Sequence, residues 1–208
     1  MRPIGSPSPK RAATRLALIE TAKRLIAERG IDATSVLDIT QTLGVSNGSF
    51  YYHFENKDRL LEVIGHDTIL ELVDRIRSVG RRDPAARIAR GPLSVFSQVD
   101  RHPEQTALIL RVLDDPAERH RDLAESLIAD IQSGVAAGRF VVEDHIKAAL
   151  FARSILTTGI RQRHLGDRSA RLPIQTAVHT LAMLGVPICE AVPIVEREHD
   201  RLEDDTDD

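Results

Sequence analysis

The sequence predicts an all-α protein. Hydrophobic residues make up 42% of its 208 residues, yet aromatics are only 3% and Trp is absent. A core made of Leu, Ile, Val and Ala suits packed helices better than sandwiched sheets. Apolar residues also recur at helical spacing in one segment after another, and no convincing pair of strands accompanies them. At 28% charged residues, the composition is that of a globular chain, long enough for one large domain or two small ones.

Met1 to Pro9 holds three prolines, two serines and a glycine and reads as a flexible arm. Leu18, Ala22, Leu25 and Ile26 give Lys10 to Arg29 one apolar face, and Gly30 stops that helix. Ser35 followed three residues later by Asp38 is a capping-box pattern opening a short helix, Val36 to Leu43, which Gly44 ends. Ser46 caps a third, Asn47 to His53. Asn56 caps a fourth, from Lys57 towards Val79, with Leu60, Leu61, Ile64, Leu72 and Ile76 near one face.

Pro84 suits the first position of a fifth helix, which Arg90-Gly91-Pro92 is expected to kink or interrupt and His102-Pro103 to end. Helical patterns follow over Glu104 to Leu113, Ala117 to Ala137 and Val142 to His164. Leu172 to Leu184 is expected to be the last regular helix. Prolines spoil Val186 to Val195 as a strand. The segment Glu196 to Asp208 carries eight acids against Arg197 and Arg201 and reads as a solvated, disordered tail.

The net charge of −3 divides unevenly. Residues 1–60 carry nine Lys/Arg and six Asp/Glu, a balance of +3 that leaves −6 for the remainder. A chain that offers one end to phosphates has this asymmetry. The single cysteine, Cys189, excludes an internal disulfide and a cysteine-based zinc site, and implies a reducing, cytoplasmic setting. No apolar run reaches membrane-spanning length, and Met1 to Lys10 lacks the apolar region of a secretory signal. His120, His145, His164 and His179 are scattered, and no Walker loop, GxGxxG, GxSxG or HExxH run occurs. No catalytic residue, metal site or cofactor is expected.

The informative stretch is Thr34 to Lys57, TSVLDITQTLGVSNGSFYYHFENK. Val36, Ile39 and Leu43 give its first helix a buried stripe, Gly44 permits the turn, Val45 plugs it, and a second short helix starts at once. This is the physics of a helix-turn-helix, whose second helix enters the major groove with its N-terminal residues towards base edges. Asn47, Gly48 and Ser49 are small or hydrogen-bonding residues at that end. Tyr51, Tyr52 and His53 add rings with polar tips, and Lys57 follows as a phosphate contact.

The run Gly44-Val45-Ser46-Asn47-Gly48-Ser49-Phe50-Tyr51-Tyr52-His53-Phe54, with Lys57, Leu60 and Leu61 after it and Ala22, Leu25, Gly30, Thr34 and Ile39 before it, resembles the DNA-binding domain of TetR-type repressors over residues 10–64. Ile26, Leu37 and Thr40 depart from the usual pattern, standing where an aromatic, a polar or basic residue and an alanine are common. The resemblance implies DNA contacts at Ser46, Asn47, Ser49, Tyr51, Tyr52, His53 and Lys57, with Gly48 permitting close approach. It implies a larger helical ligand-binding and dimerisation domain, in which the last two long helices pair with a partner chain.

The expected organisation is an arm (1–9), a three-helix DNA-binding domain (10–56), a connecting helix (57–79), a helical ligand-binding and dimerisation domain (80–195) and an acidic tail (196–208). The expected partners are a palindromic double-stranded operator, a second copy of the chain and an unidentified small-molecule effector, with no membrane. Phe96, Leu108, Val112, Leu127, Phe151 and Ile155 are the candidate pocket residues. The rival expectation is a helical interaction protein that binds DNA without sequence preference or a ligand switch.

Overall fold

The computed structural model describes residues 9–78, 83–114 and 121–207. The arm expected over 1–9 lies almost wholly outside them. The described elements are α1 (Pro9–Arg29), α2 (Val36–Leu43), α3 (Asn47–His53), α4 (Lys57–Ser78), α5 (Pro84–Arg101), a 3-10 turn (Pro103–Gln105), α6 (Thr106–Asp114), α7 (Arg121–Ala136), α8 (His145–His164), α9 (Arg171–Met183) and α10 (Ile188–Asp207). No strand occurs among the described residues. The contacts divide the chain into two units, Met1–Ile64 and Gly65–Asp208.

In the first unit the apolar faces are spent as the spacing predicts. Leu18, Ala22, Leu25 and Ile26 of α1, Ile39 of α2, Phe50 of α3, Phe54, and Leu60, Leu61 and Ile64 of α4 are all buried. The capping box forms: the Ser35 hydroxyl accepts from the Asp38 N–H, and the Asp38 carboxylate accepts from the Ser35 N–H at 2.8 Å. The Ser35 hydroxyl itself donates to the Asp38 carboxylate at 2.5 Å, and this bond first, then the one from the Ser35 N–H, with the Arg29 charge beyond, holds the Asp38 carboxyl below its ordinary value. Gly44 ends α2 at φ +74, a left-handed conformation that L side chains rarely adopt. Ser46 and Asn56 then accept from the N–H groups of Ser49 and Arg59 and cap α3 and α4.

In the second unit α9 packs against α5, α8 and α10. One core gathers Ala85, Ile88, Ala89 and Leu93 of α5 with Ala148 and Ala149 of α8, Ala177 and Leu181 of α9, and Ala191 and Val195 of α10. A second gathers Ile69 and Leu72 of α4, Phe96 and Val99 of α5, Ile109 and Val112 of α6, and Ile160 of α8. Gly159 allows the close approach of α8 to α9, because a Cβ there would lie 2.6 Å from the Thr176 hydroxyl.

Three expectations change. First, α5 is not interrupted at Arg90-Gly91-Pro92: it runs on to Arg101 with Pro92 inside it. The missing Pro92 N–H removes one helix bond, but buried side chains on either side, Ile88, Ala89, Leu93 and Val95, hold the segment in place.

Second, α8 and α9, expected to pair with a partner chain, also build the protomer's own core: Ala148, Ala149 and Ala152 of α8 and Ala177, Val178 and Leu181 of α9 are buried within it, while Ile155 and Leu156 are half-buried.

Third, the end of the chain is helical. Residues 196–207 belong to α10, and Leu172 to Leu184 is not the last helix. Ala191, Val195, Glu198, Leu202 and Asp205 recur at helical spacing and form one face. Ala191 and Val195 are fully buried, and Leu202 packs on the same core. Glu198 is 1% exposed and faces the Arg90 guanidinium of α5 at 3.6 Å, while Asp205 pairs with its other nitrogen. Arg201 donates to Glu198 at 2.6 Å. Two acids of the tail are thus ion-pair partners of a buried arginine.

Removing Arg90 takes from the buried Glu198 carboxylate its buried counter-charge and leaves it the half-exposed Arg201. Arg90→Ala is expected to cost about 3–5 kcal/mol, read as a lower midpoint of urea unfolding. Loss of less than about 1 kcal/mol would show that α10 does not depend on this contact.

Candidate nucleic-acid interface and ligand cavity

The seven-residue α3 buries Phe50 and turns its remaining side chains outward. Tyr51 and Tyr52 are 58% and 55% exposed. Asn47 and Gly48 are exposed, and Ser49 and His53 are half-buried. The Phe50 ring meets Tyr51 edge-on at 5.4 Å between centroids and lies 5.6 Å from Phe54. Tyr52 meets His53 edge-on at 5.1 Å. An added Cβ at Gly48 would meet nothing closer than the Ser46 hydroxyl at 3.7 Å, so its bareness is not needed for packing and leaves the surface open.

Ser46, Asn47, Gly48, Ser49, Tyr51, Tyr52 and His53 therefore fall on one short helix and its cap. Lys57 is placed differently: its Nζ donates to the Ile31 carbonyl at 2.6 Å and ties the α1–α2 turn to the start of α4. Leu37 is half exposed and gives α2 an apolar outer side chain.

Two arginines near the start of α1 complete the face. The Arg11 guanidinium lies 4.4 Å from the centre of the Tyr52 ring, and that of Arg15 lies 5.1 Å from the Phe54 ring. Both separations are within cation–π range. The sequence reading left both unassigned, although their four-residue spacing puts them on one face of α1. Asn47 is also held, its Oδ1 accepting from the Thr40 hydroxyl at 2.6 Å.

Partial burial, then the positive charges of Arg11 and Arg15, lower the His53 pKa from its ordinary value of 6.5. The ring is therefore neutral at pH 7.

The second unit contains an apolar cavity of about 210 Å³. Its wall includes Ile69 and Leu72 of α4, Ile88 of α5, Val112 of α6, Leu127 of α7 and Leu156 of α8, with no Phe or Tyr. Arg87, Asp130 and Arg153 give it a charged section, and Arg87 meets Asp130 at 3.0 Å. Of the expected pocket residues, Val112 and Leu127 line this cavity. Phe96 and Leu108 are buried in the core but are not in its wall. Phe151 is 59% exposed and Ile155 half exposed, also outside the wall. The phase of α8 explains this: Ala149, Ala152, Arg153 and Leu156 face the cavity, which turns Phe151 outward. Among the described residues no group of three or more His, Cys, Asp or Glu is placed to hold a metal, and no helix is long and apolar enough to cross a membrane.

Residues 18–64, which include α2 and α3, match the family model for bacterial regulatory proteins of the tetR family. Over these residues the chain is similar to the TetR family. The HTH-type transcriptional repressor KstR2 of Mycolicibacterium smegmatis is 25% identical over 140 residues, covering 62% of this chain and 68% of its own. The HTH-type transcriptional regulator TtgR of Pseudomonas putida is 29% identical over 131 residues, covering 59% of this chain and 62% of its own. The chain thus spans about two thirds of the length of these relatives. The crystal structure of RolR in complex with resorcinol has the same fold, with a TM-score of 0.77, 23% identity, and coverage of 92% of this chain and 97% of that one.

The lowered His53 value sets a pH window. Native stability from this residue is complete above the ordinary histidine value and is lost as pH falls from there through the lowered folded value, because the unfolded ring takes its proton first. Phosphates favour the charged ring, so affinity for duplex DNA is expected to rise on acidification below that value. Anisotropy titrations from about pH 8 to 5 at fixed salt read the rise. His53→Gln is expected to flatten it, and an unchanged slope would assign the effect elsewhere.

Proposed function

We propose that this chain is a TetR-type regulator, a sequence-specific, cytoplasmic DNA-binding homodimer that represses from a palindromic operator and is released by a small-molecule ligand. The observation that carries the reading is the outward face of α3. Asn47, Ser49, Tyr51, Tyr52 and His53 are presented on a helix pinned from behind by the fully buried Phe50. That combination supplies hydrogen-bonding groups for base edges and phenol or imidazole tips for phosphates. Ser46 caps the helix, Gly48 leaves room, and Lys57 braces the turn behind it.

In a dimer, two such helices sit about 34–36 Å apart, one turn of the duplex, which makes the operator a palindrome. Residues 10–56 form the DNA-binding domain in this reading, and residues 80–195 serve ligand binding and dimerisation. The names of KstR2 as a repressor and of RolR as a resorcinol complex support repression and ligand control by analogy.

The effector occupies the aliphatic cavity of the second unit, with its polar end towards Arg87, Asp130 and Arg153. A ligand acts only by differential affinity for the DNA-competent and DNA-incompetent states. A cavity of about 210 Å³ is smaller than most drug-binding pockets and points to a compact, largely apolar effector.

Selection of bound duplexes from a random pool at one fixed salt concentration tests this reading. A palindromic consensus is expected, and it is expected to disappear with Tyr52→Ala. Tight low-salt binding without a consensus would favour a non-specific DNA-binding protein instead. Leu127→Trp, which fills the cavity, is expected to keep the consensus and lose release by any effector that displaces the unmodified chain. Full release in that variant would place the effector elsewhere.

A further inference from the structure

The Thr40 hydroxyl is enclosed on α2 by three acceptors. The carbonyl oxygens of Val36 and Leu37 lie 3.0 and 3.1 Å away, and Oδ1 of Asn47 lies at 2.6 Å. A hydroxyl has one hydrogen and serves one acceptor well. The Asn47 contact is the shortest and has the length of an O–H···O bond. It is also the one that reaches another helix. Thr40 itself is 1% exposed, so it does not meet DNA directly.

We propose that Thr40 is a positioning residue for base recognition, fixing the Asn47 carboxamide so that its amide nitrogen faces the major groove. This rests on the reading of α3 as a DNA-reading helix. An exposed asparagine has a broad terminal torsion and two nearly equal amide orientations. The bond from a buried partner selects one of them. The corner cannot drift, because Ser46 caps the same helix end and Gly44 sets the turn. With Oδ1 held by Thr40, the remaining amide hydrogens suit acceptors on a base edge, the O6 and N7 of guanine or the O4 of thymine. Most asparagine contacts in this setting pay an ordering cost on binding; here the ordering is done within the free protein.

The test uses the full chain, the duplex recovered by selection, and all single-base changes across one half-site, at one salt concentration. Asn47→Ala is expected to lose discrimination of about fivefold or more at one or two adjacent base pairs. Thr40→Val keeps the side-chain volume and removes the hydroxyl. It is expected to lose the same discrimination at the same pairs while affinity for unrelated duplex and its salt slope stay unchanged. Thr40→Ser restores the hydroxyl and is expected to recover the preference. If valine prevents folding, Thr40→Ala gives the same comparison. Full base preference in the folded Thr40 variants, where Asn47→Ala has lost it, would overturn the proposal alone. No discrimination lost on Asn47→Ala would overturn it as well. An unmodified chain without any base preference would overturn the parent reading and the proposal together.

Discussion

The burial of Phe50 is the constraint on which the candidate DNA-binding face depends. Seven residues do not hold a helix in water by themselves. α3 is held because Phe50 is fully buried and Phe54, just after it, nearly so. At about 100° per residue, a side chain fixed inward at position 50 sends Gly48 and Tyr52 to the opposite side. The exposure of Tyr52 and of Gly48 is therefore a consequence of packing. Asn47 and Tyr51 lie towards one flank, where Thr40 and the edge of the Phe50 ring meet them.

The supports around that pin come from three directions. α2 supplies the Thr40 hydroxyl, α1 supplies Arg11 over Tyr52 and Arg15 over Phe54, and Lys57 fastens the α1–α2 turn. Preorganisation of this kind lowers the ordering cost of binding, because side chains that must meet DNA are already restricted. The second unit follows a different logic. Its helices are cemented by small residues such as Gly159 and by the buried Arg90–Glu198 pair, and they leave an aliphatic cavity beside a charged section.

The first unit was legible in the sequence because its signals are local. Ser35 with Asp38, Gly44, Ser46 and Asn56 each mark a boundary within a few residues, and each acts where expected. What escaped was non-local. Nothing near Arg11 in the chain shows that Tyr52 lies beneath it, and nothing near Lys57 points to the Ile31 carbonyl. The end of the chain was misread because eight acids and Pro193 outweighed a real pattern: Ala191, Val195, Glu198, Leu202 and Asp205 share one helical face, and two of those acids have a buried arginine as partner. The cavity wall was legible at two of six positions for the same reason. Val112 and Leu127 follow from hydrophobicity, whereas the outward turn of Phe151 depends on the phase of α8 against its neighbours.

The central claim is that α3 lies in the major groove, and methylation protection on a bound operator tests it most directly. Dimethyl sulfate attacks guanine N7 in the major groove and adenine N3 in the minor groove. The account predicts two patches of N7 protection centred about 10 base pairs apart, with adenine N3 left reactive between them. Protection confined to adenine N3, or spread evenly along the duplex, would contradict it.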